Sequence, residues 1–132
     1  METAGYLIDT NAGIDYLGEV IPNPGLLFMD KVIDNGYSIS VISRIELYSY
    51  GKLSETEKTA LDIFTSQSSV LNMNEDIVEK TIEIRKAFRT KLPDAIIAAT
   101  ALVYNLTLVT HNISDFRNIL GISLVNPYDI KE

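Results

Sequence analysis

Tyr6-Leu7-Ile8-Asp9-Thr10-Asn11 sets three apolar strand-forming residues directly against a polar triplet. The apolar run suits a buried strand, and the triplet turns the chain into a short helical stretch toward Leu17. Outward from here the same alternation repeats. Asn23-Pro24-Gly25 reads as a loop. Leu26, Leu27, Met29, Val32 and Ile33 have helical spacing, and Asn35-Gly36 stops that helix. Tyr37 to Val41 reads as a strand, followed by a helix through Ile45-Glu46-Leu47. Ser54 with Glu57 has capping-box spacing and opens a helix toward Phe64. Ser66-Gln67-Ser68-Ser69 reads as a loop and Val70 to Met73 as a short strand. Asn74 can cap a long helix with a stripe of Ile77, Thr81, Ile84 and Phe88, flanked by Val78 and Ile82. After Pro93 a helix opens at Asp94 and runs to about Tyr104, where Asn105 is a plausible stop. Leu106 to Thr110 reads as a strand, then a loop passes through Asp115, and Ile122 to Val125 reads as a last strand. Strands alternating with helices predict a single α/β domain over residues 1–132, a three-layer α/β/α sandwich on a four- or five-stranded, mostly parallel sheet. Ligands in such sheets bind beyond the carboxyl ends of the strands, near the point where strand order switches.

Composition narrows the chemistry. The 132 residues contain no cysteine and one histidine, His111. Disulfides, thiolate metal sites, cysteine nucleophiles and paired catalytic histidines are thereby excluded within one chain. Eighteen acidic against eleven basic residues give a net charge of −7. Carboxylates are the abundant resource, so chemistry would run through oxygen ligands and a hard cation such as Mg²⁺ or Mn²⁺. The longest apolar stretch, Ala95 to Tyr104, is ten residues. A membrane span needs about 20. The chain opens Met1-Glu2-Thr3, unlike a signal peptide, so a cytoplasmic location is expected.

The parallel-sheet rule picks out four acids. Asp9 follows the first strand, Glu46 lies one to two helical turns after the second, Asp94 opens a helix, and Asp115 follows the Leu106–Thr110 strand. Each also has a plainer reading. Asp9 suits a helix N-cap as well as a ligand. Ser43 to Glu46 has capping-box spacing. Asp94 complements a helix dipole, and Asp115 could cap a short helix at Phe116. Capping and metal binding are compatible, because a carboxylate has several lone-pair sites. If the four converge, their mutual repulsion calls for a divalent cation. Such a centre suits phosphodiester hydrolysis.

Four blocks carry a resemblance: Leu7-Ile8-Asp9-Thr10-Asn11, Ser40-Val41-Ile42-Ser43-Arg44-Ile45-Glu46-Leu47, Pro93-Asp94-Ala95-Ile96-Ile97-Ala98-Ala99-Thr100-Ala101, and Thr110-His111-Asn112-Ile113-Ser114-Asp115-Phe116. In this order and spacing they resemble PIN-domain nucleases, above all the small VapC-type toxins of prokaryotic toxin–antitoxin pairs. The resemblance implies Mg²⁺- or Mn²⁺-dependent endoribonuclease activity, a homodimer and a cognate antitoxin. It carries over Asp9, Glu46, Asp94 and Asp115 as the acidic, metal-binding quartet, with Asn11, Thr110 and Asn112 as polar neighbours. Three departures concern RNA preference rather than activity. His111 stands where the family often has a basic or polar residue, Ser43 where threonine is commoner, and Phe88 to Pro93 is poorer in turn residues than expected.

Other features bear on the reading. Arg85, Lys86, Arg89 and Lys91 make either a solvated helix face or a phosphate contact. A chain this acidic needs such a local basic stripe to hold RNA. The tyrosines Tyr48 and Tyr50 read as packing residues, and His111 as a structural or surface residue. Two rivals use the same fold class. Receiver and phosphatase domains that form an aspartyl phosphate also place Asp after a first strand, but the phosphatases need a second Asp where this chain has Asn11. An inactive PIN-like interaction module would keep the fold without using the acids.

Overall fold

The computed structural model describes residues 4–131. Its strands are β1 (Tyr6–Ile8), β2 (Ser38–Ser40), β3 (Ser69–Leu71), β4 (Thr107–Val109) and β5 (Ser123–Val125). They form one sheet in the order β3-β2-β1-β4-β5, with all four pairings parallel. The helices are α1 (Thr10–Leu17), α2 (Asn23–Asp34), α3 (Val41–Ser49), α4 (Glu55–Gln67), α5 (Glu75–Ala87), α6 (Leu92–Val103) and α7 (Ile113–Phe116).

The neighbouring strands β1 and β4 are apolar on both faces and are covered on both. Leu7 and Ile8 are adjacent, fully buried, and belong to different cores. Leu108 and Val109 divide in the same way. Leu7 and Leu108 pack with α5, α6 and α7 through Ile77, Ile84, Ile97 and Phe116. Ile8 and Val109 pack with Ala12, Met29, Leu47 and Phe64 from α1 to α4. This is the three-layer sandwich, because alternate strand residues point to opposite faces. Small side chains from Ala95 to Ala101 let α6 approach the sheet closely. In α5, Ile77, Thr81 and Ile84 are buried, and Thr81 Oγ1 donates to the Ile77 carbonyl at 2.7 Å. Phe88 packs half-buried at the helix end, whereas Ile82 is exposed.

Local structure departs from the sequence reading in several places. Asn23-Pro24-Gly25 is the first turn of α2, not a loop. Proline fits there because the early helical N–H groups have no intrahelical acceptor. Gly25 is required by packing, since a Cβ would stand 2.0 Å from the Pro127 carbonyl oxygen. That oxygen belongs to a 3₁₀ turn, Pro127–Asp129, which the sequence reading did not include. Ser40 caps α3 by accepting from the Ile42 N–H at 3.1 Å, so Ser43 and Glu46 are not a capping box. Ser66 and Gln67 prolong α4, and Ser69 begins β3. The box at Ser54 and Glu57 and the cap at Asn74 form as expected. No helix among the described residues is long and apolar enough to cross a membrane.

The chain runs from β1 outward through β2 to β3, then crosses back to β4 on the other side of β1. The carboxyl end of β1 is therefore the point where strand order switches.

Candidate active site

Asp9 stands at that point. Its backbone N–H prolongs the sheet by donating to the Val109 carbonyl at 2.9 Å. Extended backbone, with φ −68° and ψ 155°, makes it the N-cap of α1, where Oδ1 accepts from the Thr10 N–H at 2.9 Å. Oδ2 accepts from Thr110 Oγ1 at 2.8 Å and Asn11 Nδ2 at 3.0 Å. Only 4% of Asp9 is exposed. Burial pushes its pKa up from 3.8 to about 6; donors Thr110 and Thr10 pull it down, and the carboxylates of Asp94 and Glu46 push it up. The cap and the clustered acid are thus the same residue.

Thr110 is fully buried and central to this network. Its hydroxyl serves Asp9 and accepts from the Asn112 N–H at 3.1 Å and Asn11 Nδ2 at 3.4 Å. The other end of the Asn11 amide, Oδ1, accepts from the His111 N–H at 3.0 Å. Asn11 and Thr110 therefore touch Asp9 directly, while Asn112 joins through its backbone. His111 is exposed, with its ring 4.1 Å from that of Tyr128.

Glu46 reaches the site from α3, where its Oε1 accepts from Thr10 Oγ1 at 2.6 Å. Asp94 lies in the first turn of α6, half-buried. Its pKa is raised, first by burial and then by the Asp115 and Glu46 carboxylates, with Lys91 opposing. Asp115 is in the first turn of α7 rather than in a loop. Asp94 and Asp115 line one cleft of about 300 Å³ with Arg89, Lys91, Ser114 and Asn118. Asp9, Glu46 and Asp94 thus lie within Coulombic reach of one another, and Asp115 within reach of Asp94. They do not close to ligand distances: among the described residues, no three acidic or histidine side chains stand close enough to hold a metal ion. The donors themselves fit Mg²⁺ or Mn²⁺, being carboxylate, hydroxyl and amide oxygens. Positive charge placed among them would relieve the repulsion that raises Asp9 and Asp94.

The basic stretch divides. Arg89 and Lys91 line the cleft, whereas Arg85 and Lys86 lie in the last turn of α5, exposed, and complement its dipole. Tyr48 and Tyr50 do not pack inside the chain. Both are exposed, and Tyr48 Oη donates to Asp62 Oδ1 at 2.6 Å. Sequence reasoning missed Thr10 and Ser43 as site residues. Thr10 Oγ1 stands 2.9 Å from Ser43 Oγ, and Ser43 is fully buried. The available signal was position: Thr10 adjoins one acid, and Ser43 precedes another by one helical turn.

The PIN domain family model matches residues 6–120. No curated protein matches the chain. Several solved structures do. VapBC2 from Rickettsia felis, solved bound to a DNA fragment from its promoter, superposes with a TM-score of 0.79 at 27% identity, covering 92% of this chain and 97% of that one. A toxin–antitoxin complex from Klebsiella pneumoniae gives 0.74 at 30% identity, covering 96% and 100%. VapBC-1 from nontypeable Haemophilus influenzae gives 0.77 at 26%, covering 92% and 97%. With the fold, the order of the blocks and the match in agreement, the chain belongs to the PIN-domain family, in its VapC-type toxin branch.

Proposed function

We propose that this protein is a metal-dependent endoribonuclease, the toxin of a type II toxin–antitoxin pair. The observation that supports the reading is the mutual coupling of Asp9, Glu46 and Asp94 beside the switch point of the sheet, with Asp115 coupled to Asp94 across one cleft. These four would hold Mg²⁺ or Mn²⁺. Such a cation, when bound, lowers the pKa of a coordinated water and neutralises charge on the phosphate. The chain's own residues do the rest. Thr110 and Asn11 fix the Asp9 carboxylate, and Arg89 and Lys91 meet the RNA backbone at the rim of the cleft. Asn11, whose amide donates to Asp9, occupies the position where a phosphatase-like domain needs a second aspartate. The test is RNA cleavage with Mg²⁺ or Mn²⁺ against a chelator, using Asp9→Asn as control. Cleavage that survives both the chelator and the substitution refutes the proposal.

The relatives were solved as complexes with their antitoxins, and we propose an antitoxin for this chain as well. An apolar groove of about 180 Å³ between α1, α3 and α4, lined by Leu17, Leu47, Tyr50, Leu53 and Leu61, suits an apolar partner segment. The acidic site would attract a basic side chain of the antitoxin. A homodimer is the expected assembly, checked by light scattering on the purified chain.

A further inference from the structure

We propose that Thr10 and Ser43 form a hydroxyl relay that positions Glu46 for metal binding. The inference rests on the nuclease reading above and adds two residues to it. Thr10 Oγ1 lies 2.6 Å from Glu46 Oε1 and 2.9 Å from Ser43 Oγ. A hydroxyl carries one proton, and an ionised carboxylate can only accept. Thr10 therefore donates to Glu46, and Ser43 donates to Thr10. The direction of the chain is fixed: Ser43 to Thr10 to Glu46.

Three features give this relay a role beyond tying α1 to α3. First, its acceptor is one of the coupled acids, and a bond to a charged acceptor is stronger than a neutral one. Second, Thr10 serves two carboxylates at once. Its backbone N–H holds Asp9 at 2.9 Å while its side chain holds Glu46. Third, Glu46 reaches the site on a long side chain from the second turn of α3, so a bond to its end restricts where the carboxylate stands. The relay retains Oε1, while Oε2 has no hydrogen-bond partner among the described residues. One oxygen is tethered and the other is available to a cation.

The experiment is Mn²⁺ titration of the purified full chain, followed by paramagnetic resonance or calorimetry, with thermal melts to establish folding. Partners that orient a ligand commonly change metal affinity by about 10- to 100-fold. Thr10→Val keeps the shape and removes the donor, so it is expected to weaken Mn²⁺ binding by about 10-fold or more. Thr10→Ser restores the hydroxyl and is expected to stay within about threefold of the wild type, because the orienting bond is kept. A purely structural tie would lower the melting temperature of Thr10→Val without changing its Mn²⁺ affinity. Equal affinities in the wild type and Thr10→Val overturn the relay and leave the nuclease reading standing. A wild type that binds no Mn²⁺ overturns the nuclease reading, and the relay with it. If Thr10→Val fails to fold, Ser43→Ala carries the test: weakened binding supports the relay, and unchanged binding overturns it.

Discussion

Asp9→Asn is expected to stabilise the metal-free protein at pH 8 and to destabilise it at pH 4. Asp9 is almost wholly buried, and its pKa rises from 3.8 to about 6 on folding. The folded chain thus keeps this proton after the unfolded chain has released it. Stability from this group is fully present below about pH 4, falls as pH rises toward 6, and is flat above that. Two pKa units correspond to about 3 kcal/mol. Asparagine carries no charge and removes this pH dependence. It also turns an NH₂ group toward Asn11 Nδ2, which donates to Asp9 at 3.0 Å. One lost hydrogen bond with a buried donor left unpaired costs about 1–2 kcal/mol. The net is a gain of about 1–2 kcal/mol for the variant at pH 8 and a loss of similar size at pH 4. In a domain of this size that is about 3–8 °C in Tm. The assay is calorimetric melting of both proteins in chelator between pH 4 and 8. Parallel pH profiles would refute the reasoning, because they would mean that the buried carboxylate carries no desolvation cost. Added Mn²⁺ is expected to reverse the order at pH 8 by stabilising the wild type alone.

Three further perturbations test other parts of the account. Thr110→Val removes the hydroxyl that serves Asp9 and that accepts from Asn112 N–H. It is expected to lower stability by about 1–3 kcal/mol in urea melts, and the Asp9 pKa should rise further with the loss of this donor. Gly25→Ala places a Cβ against the Pro127 carbonyl and is expected to cost about 1–3 kcal/mol or more, read by the urea midpoint. Arg89→Gln with Lys91→Gln is expected to weaken RNA binding and flatten its salt slope by about 1.4, whereas Arg85→Gln with Lys86→Gln changes both less. The comparison is made by fluorescence anisotropy across a salt series on the Asp9→Asn background.

Much of the fold was legible because its strands advertise themselves. Leu7-Ile8 and Leu108-Val109 are apolar in consecutive positions, as a strand covered on both faces must be. The acids were legible for a related reason. Given parallel strands, residues just past their carboxyl ends share an edge; Asp9 stands there after β1, and Glu46 from α3 and Asp94 from α6 come within Coulombic reach of it. What stayed hidden depends on strand order. Thr10 and Ser43 are 33 residues apart and meet only because β1 and β2 are neighbours. Gly25 was read as a turn residue because nothing in its own surroundings announces the carbonyl of Pro127. The basic stretch was read as one patch because its seven residues are contiguous. The end of α5 at Ala87 separates Arg85 and Lys86 from Arg89 and Lys91.

The place of β1 between β2 and β4 also governs when the site can exist during synthesis. Tyr6 pairs with Thr107, and the hydroxyl that anchors Asp9 comes from Thr110. Closing a loop of about 100 residues costs about 4 kcal/mol of chain entropy. That cost is met only once β4 and its covering helices are made. A ribosome that terminates before residue 107 releases a fragment whose first carboxylate lacks its hydroxyl anchor and whose sheet lacks β4 and β5. For a protein read as harmful to the cell that makes it, late completion of the site ties any damage to finished chains.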